Sequence, residues 1–378
     1  MRTLATFDWE VLPNVFIACI KPLGKAILTF EISPRKNEFK QLVEILERGE
    51  FIFVGYNCSG YDTPIANMLI ADKYKYMYGN YLDITDAAFK MSGLVINNKD
   101  RDRPHPMVRK YMYNNYFPQI DLMTLMASSK LRVGLKALQV TMCVPNVKEM
   151  LVDWTKYLRK EEIDPIINYC HNDINSTETL LHFLKSDLHL RKVVEREFGL
   201  TCMSKDGVGV GVDIFKKFIC EEMKIDPRRL RSLVDVNNII AVKELILPNV
   251  KFKTKTFQRL LDWYRGIVIN LEEYELLTKE QKEEKYRFIA KCNNLAHGYG
   301  LGGLHSINNA VAYEADDEYY LSDRDVESYY PSLSIKKRFG PKGMLQAFIN
   351  TLINLKEKRV AAKAVKDKVK DTAYKLSL

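Results

Sequence analysis

Asp8 and Glu10 stand two positions apart near the start of the chain, on an apolar run beginning at Arg2 that reads as a β-strand. Side chains two apart on a strand share a face, so both carboxylates can reach one metal ion. Two further patterns carry acids. Asn57-Cys-Ser-Gly-Tyr-Asp62 follows a second apolar run, and Tyr169-Cys-His-Asn-Asp173 lies in a helical segment, where a spacing of four puts Tyr169 and Asp173 on one side. Taken singly, the three read as a solvated strand edge, a turn and a surface pair. Taken together and in order, they point to a single centre. Carboxylates gathered in one cleft repel each other unless cations sit among them. Two divalent ions about 3.5–4 Å apart, held by hard oxygen ligands, make water nucleophilic near neutral pH and stabilise a leaving alkoxide; phosphodiester hydrolysis requires both. A phenol such as Tyr169 can hydrogen-bond and orient the attacking water.

The segments that must position these groups alternate between strand and helix over residues 1–185. Arg2–Trp9, Val15–Ile20 and Ala26–Glu31 read as antiparallel strands, and Phe51–Tyr56 as a buried strand entering a turn at Asn57–Gly60. Phe117–Leu122 reads as a further strand. Phe39–Glu47, Gly134–Val140 and Asp164–Leu184 have helical periodicity. Central strands with helices around them predict an α/β domain. Beyond residue 190 the pattern is poorer. Gly207-Val-Gly-Val-Gly211 reads as a tight connection, Gln258–Ile269 and Lys279–Cys292 as helices, and Glu318–Leu321 as strand-like. Leu345–Leu378 contains no Gly or Pro and predicts one long helix or two.

The three acidic patterns resemble the Exo I, Exo II and Exo III motifs of the DEDDy proofreading exonucleases in family B DNA polymerases. The resemblance implies an RNase H-like 3′–5′ exonuclease domain over residues 1–185, acting on single-stranded 3′ ends of DNA with two Mg²⁺ or Mn²⁺ ions. By position, Asp8, Glu10, Asp62 and Asp173 match the metal-binding acids and Tyr169 the water-orienting tyrosine. Asn57 matches the asparagine that contacts the primer end, and Tyr61 the aromatic before the second aspartate. Lys136, in Gly-Leu-Lys-Ala-Leu, resembles a lysine found between the second and third motifs, although a surface lysine fits the sequence equally well. Asp121 stands as one further acid near the site.

A second resemblance covers residues 297–378. Asp325-Val-Glu-Ser-Tyr-Tyr-Pro-Ser332 is similar to motif A of family B polymerases, with Tyr329 where leucine is usual. This implies that Asp325 holds a catalytic magnesium ion and that Tyr330 stacks under the incoming sugar. Tyr299-Gly-Leu-Gly-Gly-Leu-His305 resembles the glycine-rich segment that joins the exonuclease and polymerase domains, with one extra residue, and implies DNA contacts at Gly302 and Gly303. Arg359 and Lys363 resemble the pair that grips a dNTP triphosphate, and Lys375 the lysine that begins motif B. Arg359, Lys363, Lys366 and Lys370 are expected to form one basic stripe on a long fingers helix. The implied division is a connecting region at 186–296, the start of a palm at 297–343 and fingers at 344–378. Motif C, which supplies the second palm aspartate, has no counterpart. The chain as given is therefore expected to trim DNA but not to extend a primer-template. It is either a fragment or a subunit completed by a second polypeptide carrying motif C. The short interval from Asp325 to Lys375 and the compact layout resemble bacteriophage-type enzymes. A stand-alone DEDDy exonuclease and a non-catalytic DNA-binding subunit of a replication complex remain as alternatives.

The bulk numbers fit these expectations. The chain has 378 residues, 47% hydrophobic and 28% charged, with a formal net charge of +9 that suits a polyanion-binding protein. Seven scattered cysteines without a CxxC pair argue against a zinc finger or a disulfide framework. No apolar run reaches membrane-spanning length, and acids stand where a signal peptide is apolar, so a cytoplasmic location (that of a host, for a virus) and no membrane partner are expected.

Overall fold

Ten residues, Thr3–Leu12, form the first strand, β1, and their alternation sorts the chain into layers. Phe7, Trp9 and Val11 turn to one face and pack with Leu42, Leu69 and Ile84 from the helices Phe39–Glu47, Asp62–Ala71 and Tyr81–Ile96. The intervening Asp8 and Glu10 therefore face the other way. On that side lies the helix Ile163–Phe183, whose Ile166, Cys170 and Ile174 pack against Leu12 of β1 and Val15, Ile17 and Cys19 of β2 (Val15–Pro22). The same alternation that builds two cores aims two carboxylates at one helix.

The sheet is completed by β3 (Leu28–Ile32), β4 (Phe51–Gly55) and β5 (Gln119–Asp121), in the order β3-β2-β1-β4-β5. Strands β1, β2 and β3 pair antiparallel, whereas β1 with β4 and β4 with β5 pair parallel. The result is the mixed α/β domain expected. Phe7, Phe53 and Phe117 meet edge to face at its centre, with ring centroids 5.9, 6.1 and 5.3 Å apart.

The computed structural model describes residues 2–98, 104–112, 116–126, 133–150, 152–233, 238–292, 295–326 and 328–378. These form two compact units, Met1–Lys224 with Asn350–Leu378, and Ile225–Ile349. The C-terminal segment thus belongs with the N-terminal domain instead of forming a unit of its own at 344–378. The reason is a shared core in which Leu355, Ala362, Ala373 and Tyr374 pack with Leu190, Val194, Val210 and Ile214. The stretch read as a tight connection at Gly207–Gly211 is instead the start of the helix Gly207–Met223. A Cβ on Gly211 would lie 1.9 Å from the Leu376 carbonyl oxygen, so glycine serves close packing there and not a turn.

The second unit pairs β6 (Ile239–Ala241) with β7 (Val268–Asn270), and β8 (Arg287–Cys292), β9 (Leu295–Gly300) and β10 (Gly303–Ile307) form a meander. The helix expected over Lys279–Cys292 stops at Lys285, because the residues that follow pair with β9. The helix expected over Gln258–Ile269 spans Lys255–Gly266 and yields to β7. The strand expected at Glu318–Leu321 is absent, since residues 308–326 carry neither helix nor strand. Among the described residues no helix is long and apolar enough to cross a membrane.

Candidate metal centre

Strand β1 and the helix Ile163–Phe183 bring one ligand atom each of Asp8, Glu10 and Cys170 within 4.8 Å of one another. Asp62 arrives from the first turn of the helix Asp62–Ala71; it is 4% exposed and its Oδ1 has no hydrogen-bond partner. Asp173, four residues beyond Tyr169, is buried on the same helix. Burial first, then the charges of Glu10, Asp62 and Asp173, push the Asp8 carboxyl well above the usual carboxylate range. Burial and the charges of Asp173 and Asp62 raise Glu10 likewise, against a small opposing pull from Lys136. Burial also pushes Asp62 up to about 8. A cation beside Asp8 and Glu10 would offset that repulsion. The donor set is oxygen-rich, crowded and short of countercharge, which fits hard divalent ions.

A second layer fixes the acids. Lys136, on the helix Leu135–Thr141, places Nζ 2.6 Å from Asp173 Oδ1 and 4.2 Å from the centre of the Tyr169 ring. The lysine with only a loose sequence match thus stands inside the site. Gln139 was missed in the sequence: its Nε2 donates to Asp173 Oδ1 at 2.8 Å and to Ser176 Oγ at 3.0 Å. Its position three residues after Lys136, on the same helix face, was the available signal. Burial, followed by the charges of Asp173, Glu10 and Asp8, drives the Tyr169 phenol far above its ordinary value, so the hydroxyl keeps its proton.

Asp121 lies close enough for its charge to act on Asp62, but its carboxylate is engaged by the backbone. Its Oδ1 accepts from the backbone N–H groups of Asn57 (2.9 Å) and Met123 (3.0 Å), and its Oδ2 from that of Ser59 (3.0 Å). It clamps the turn that precedes Asp62. In that turn Asn57 adopts the left-handed conformation with φ 56°, and a Cβ on Gly60 would meet the Asn57 amide oxygen at 2.9 Å. Tyr61 hydrogen-bonds through its hydroxyl to Ser92 Oγ at 2.7 Å. Asn57 and Tyr61 border a cleft of about 420 Å³ walled by Val95, Ile96, Val108 and Met112.

The residues expected to form a nucleotide site divide between the two units. Asp325 lies in the exposed stretch before the helix Tyr329–Lys337, its Oδ1 accepting from Val326 N–H at 2.8 Å, and Tyr330 is 71% exposed. Arg359 pairs with Asp371 at 3.0 Å, and Lys363 and Lys375 are exposed. The single basic stripe does not form. The helix Leu345–Ala364 ends, Lys366 turns left-handed at φ 58°, and a separate helix, Lys368–Leu376, starts behind Asp367, whose side chain accepts from Lys370 N–H. Lys370 itself pairs with Glu197 at 3.3 Å. Gly302 and Gly303, at the β9–β10 hairpin, line a pocket of about 480 Å³ with Lys279, Lys282, Arg287 and His305.

Comparison of the chain with protein-family models, curated proteins and solved structures yields no match. The functional reading therefore rests on the site's own geometry and on the motif resemblance.

Proposed function

We propose that this chain is a metal-dependent 3′–5′ exonuclease acting on single-stranded DNA ends, of the proofreading type that accompanies family B DNA polymerases. One observation supports the reading: Asp8 and Glu10 stand side by side on β1, and the charges of Asp62 and Asp173 act on both of them. A central strand bearing two of them, with antiparallel neighbours on one side and parallel ones on the other, supports an RNase H-like domain. The 3′ polarity and the DNA substrate follow from the motif resemblance.

Asp8, Glu10, Asp62 and Asp173 would hold two Mg²⁺ or Mn²⁺ ions, which when bound supply a nucleophilic water and Lewis-acid stabilisation of the leaving oxygen. The protein's own groups do the positioning. Tyr169 keeps its phenolic proton and can donate it in a hydrogen bond to the attacking water. Lys136 and Gln139 fix the rotamer of Asp173, and the lysine ammonium also seats the Tyr169 ring. Asn57 and Tyr61 border a cleft whose apolar walls suit a terminal base. The basic pocket at Gly302 and Gly303 suits a phosphate backbone.

A polymerase role for the remainder rests on the Asp325–Ser332 resemblance. The engagement of Arg359 by Asp371 favours trimming over nucleotide addition by this chain. The test uses a 5′-labelled single strand. The purified chain is expected to shorten it from the 3′ end with Mg²⁺ or Mn²⁺ and to leave it intact in chelator, with Asp8→Ala reducing cleavage below detection. Undiminished cleavage by Asp8→Ala rules the reading out.

A further inference from the structure

The sulfur of Cys170 is the one ligand atom in the Asp8–Glu10 cluster that a hard-cation nuclease site does not need. Cys170 is fully buried, and its Sγ lies 3.6 Å from the Asp8 carbonyl oxygen and 4.0 Å from Asp8 Oδ2. The helix Ile163–Phe183 presents it to β1 because Cys170, Ile166 and Ile174 share the face that packs on the sheet, while Tyr169 and Asp173 occupy the neighbouring face. Its neighbours Asp8 and Glu10 are half-buried on β1 and turned to the same side as the sulfur.

We propose that Asp8, Glu10 and Cys170 form a mixed oxygen–sulfur site that takes a thiophilic divalent cation such as Zn²⁺. The proposal rests on the nuclease reading only for its consequence, since the binding itself follows from the ligand set. Zinc accepts carboxylate oxygen at about 2.0–2.2 Å and thiolate sulfur at about 2.3 Å, which separates ligand atoms by roughly 3.6 Å in a tetrahedron. The three atoms already lie within 4.8 Å of one another, so side-chain shifts of about 1 Å complete the set. Mg²⁺ makes no use of sulfur, whereas thiolate selects Zn²⁺ and Co²⁺. A second feature points to a cation here: the Oδ1 of Asp62, a residue only 4% exposed, has no hydrogen-bond partner, and the Asp62 charge acts on both Asp8 and Glu10. On binding, the Cys170 S–H bond breaks, a sulfur–metal bond forms, and the proton leaves to solvent. Three protein ligands leave a fourth position open to water. Occupancy withdraws Asp8 and Glu10 from the hard-cation pair, which makes Zn²⁺ an inhibitor of trimming.

Co²⁺ added to the full chain without Mg²⁺ reads the sulfur directly, through the near-ultraviolet thiolate-to-metal charge-transfer band. The wild type is expected to show the band and Cys170→Ser to lose it. Zn²⁺ affinity, measured by competition with a chelating dye, is expected to fall on the order of 10-fold or more in the variant. Circular dichroism checks that the serine variant folds, and Cys170→Ala replaces it if it does not. A band that survives in Cys170→Ser and disappears in Cys19→Ser or Cys143→Ser overturns the assignment, as does an unchanged Zn²⁺ affinity. A Cys170-dependent band in a protein that trims no DNA would retain this site and discard the nuclease reading. Trimming without the band does the reverse.

Discussion

At the scale of single residues, the carboxylate cluster makes stability depend on pH in a direction opposite to that of an ordinary ion pair. Asp62 titrates at about 8 in the folded chain, against about 4 for an unfolded aspartate. Between those values the folded state holds a proton that the unfolded state has released, so stability falls as pH rises through the window. Below about 4 both states are protonated and the effect vanishes. In metal-free protein, Asp62→Asn is expected to raise the melting temperature at pH 8 and to change little at pH 4, by about 2–4 °C for each kcal/mol of the burial penalty on the charged carboxylate relieved. Added Mg²⁺ should stabilise the wild type more than the variant and narrow the gap. A thermal melt at the two pH values checks this, and an equal gain at both would contradict it. Tyr169→Phe keeps the ring under Lys136 but removes the water-orienting hydroxyl, so cleavage is expected to fall on the order of 10²-fold with Mn²⁺ binding unchanged. Single-turnover cleavage beside a metal titration separates the two effects. Asp8, Glu10, Tyr169 and Asp173 were legible in the sequence because strand and helix periods place side chains predictably. Gln139 and the true work of Asp121 were not, because a glutamine or an aspartate carries no sign of its partner until the backbone has folded around it.

At the scale of elements, β1 serves two cores at once, and its fate decides the site. Phe7 is buried against Phe53 and Phe117, so Phe7→Ala is expected to cost about 3–5 kcal/mol and to lower the denaturant midpoint, with trimming lost in step with folding. Gly211→Ala tests a different contact. Its methyl would collide with the Leu376 carbonyl, so destabilisation is expected, and a further loss in the larger Gly211→Val would confirm the steric cause. Elements with strong alternation or period were readable: Phe39–Glu47 forms as expected, and the helix beginning at Ile163 starts within one residue of expectation. The Gly207–Gly211 stretch was misread because glycine signals both a turn and a close approach, and only the packed partner tells them apart. The break at Lys366 has no Gly or Pro to announce it; the Asp367 cap and the docking of the final helix impose it.

At the scale of the whole molecule, a sequence-based division into exonuclease, connector, palm and fingers gives way to two units, with the last 29 residues, 350–378, returning to the first. Motif resemblance follows the order of residues along the chain, whereas a core gathers residues distant in sequence, and Leu355, Ala373 and Tyr374 join the first unit on those grounds. The exposed, irregular stretch 308–326 is the expected site of first cleavage in limited proteolysis, detected by mass spectrometry of the fragments. First cleavage inside β1 or the Ile163–Phe183 helix would contradict the architecture. The central claim is that four acids from three elements share a pair of hard cations, and anomalous diffraction from crystals grown with Mn²⁺ measures it most directly. Two peaks are expected, about 3.5–4 Å apart, among Asp8, Glu10, Asp62 and Asp173. Manganese bound elsewhere, with that cluster empty, would contradict it.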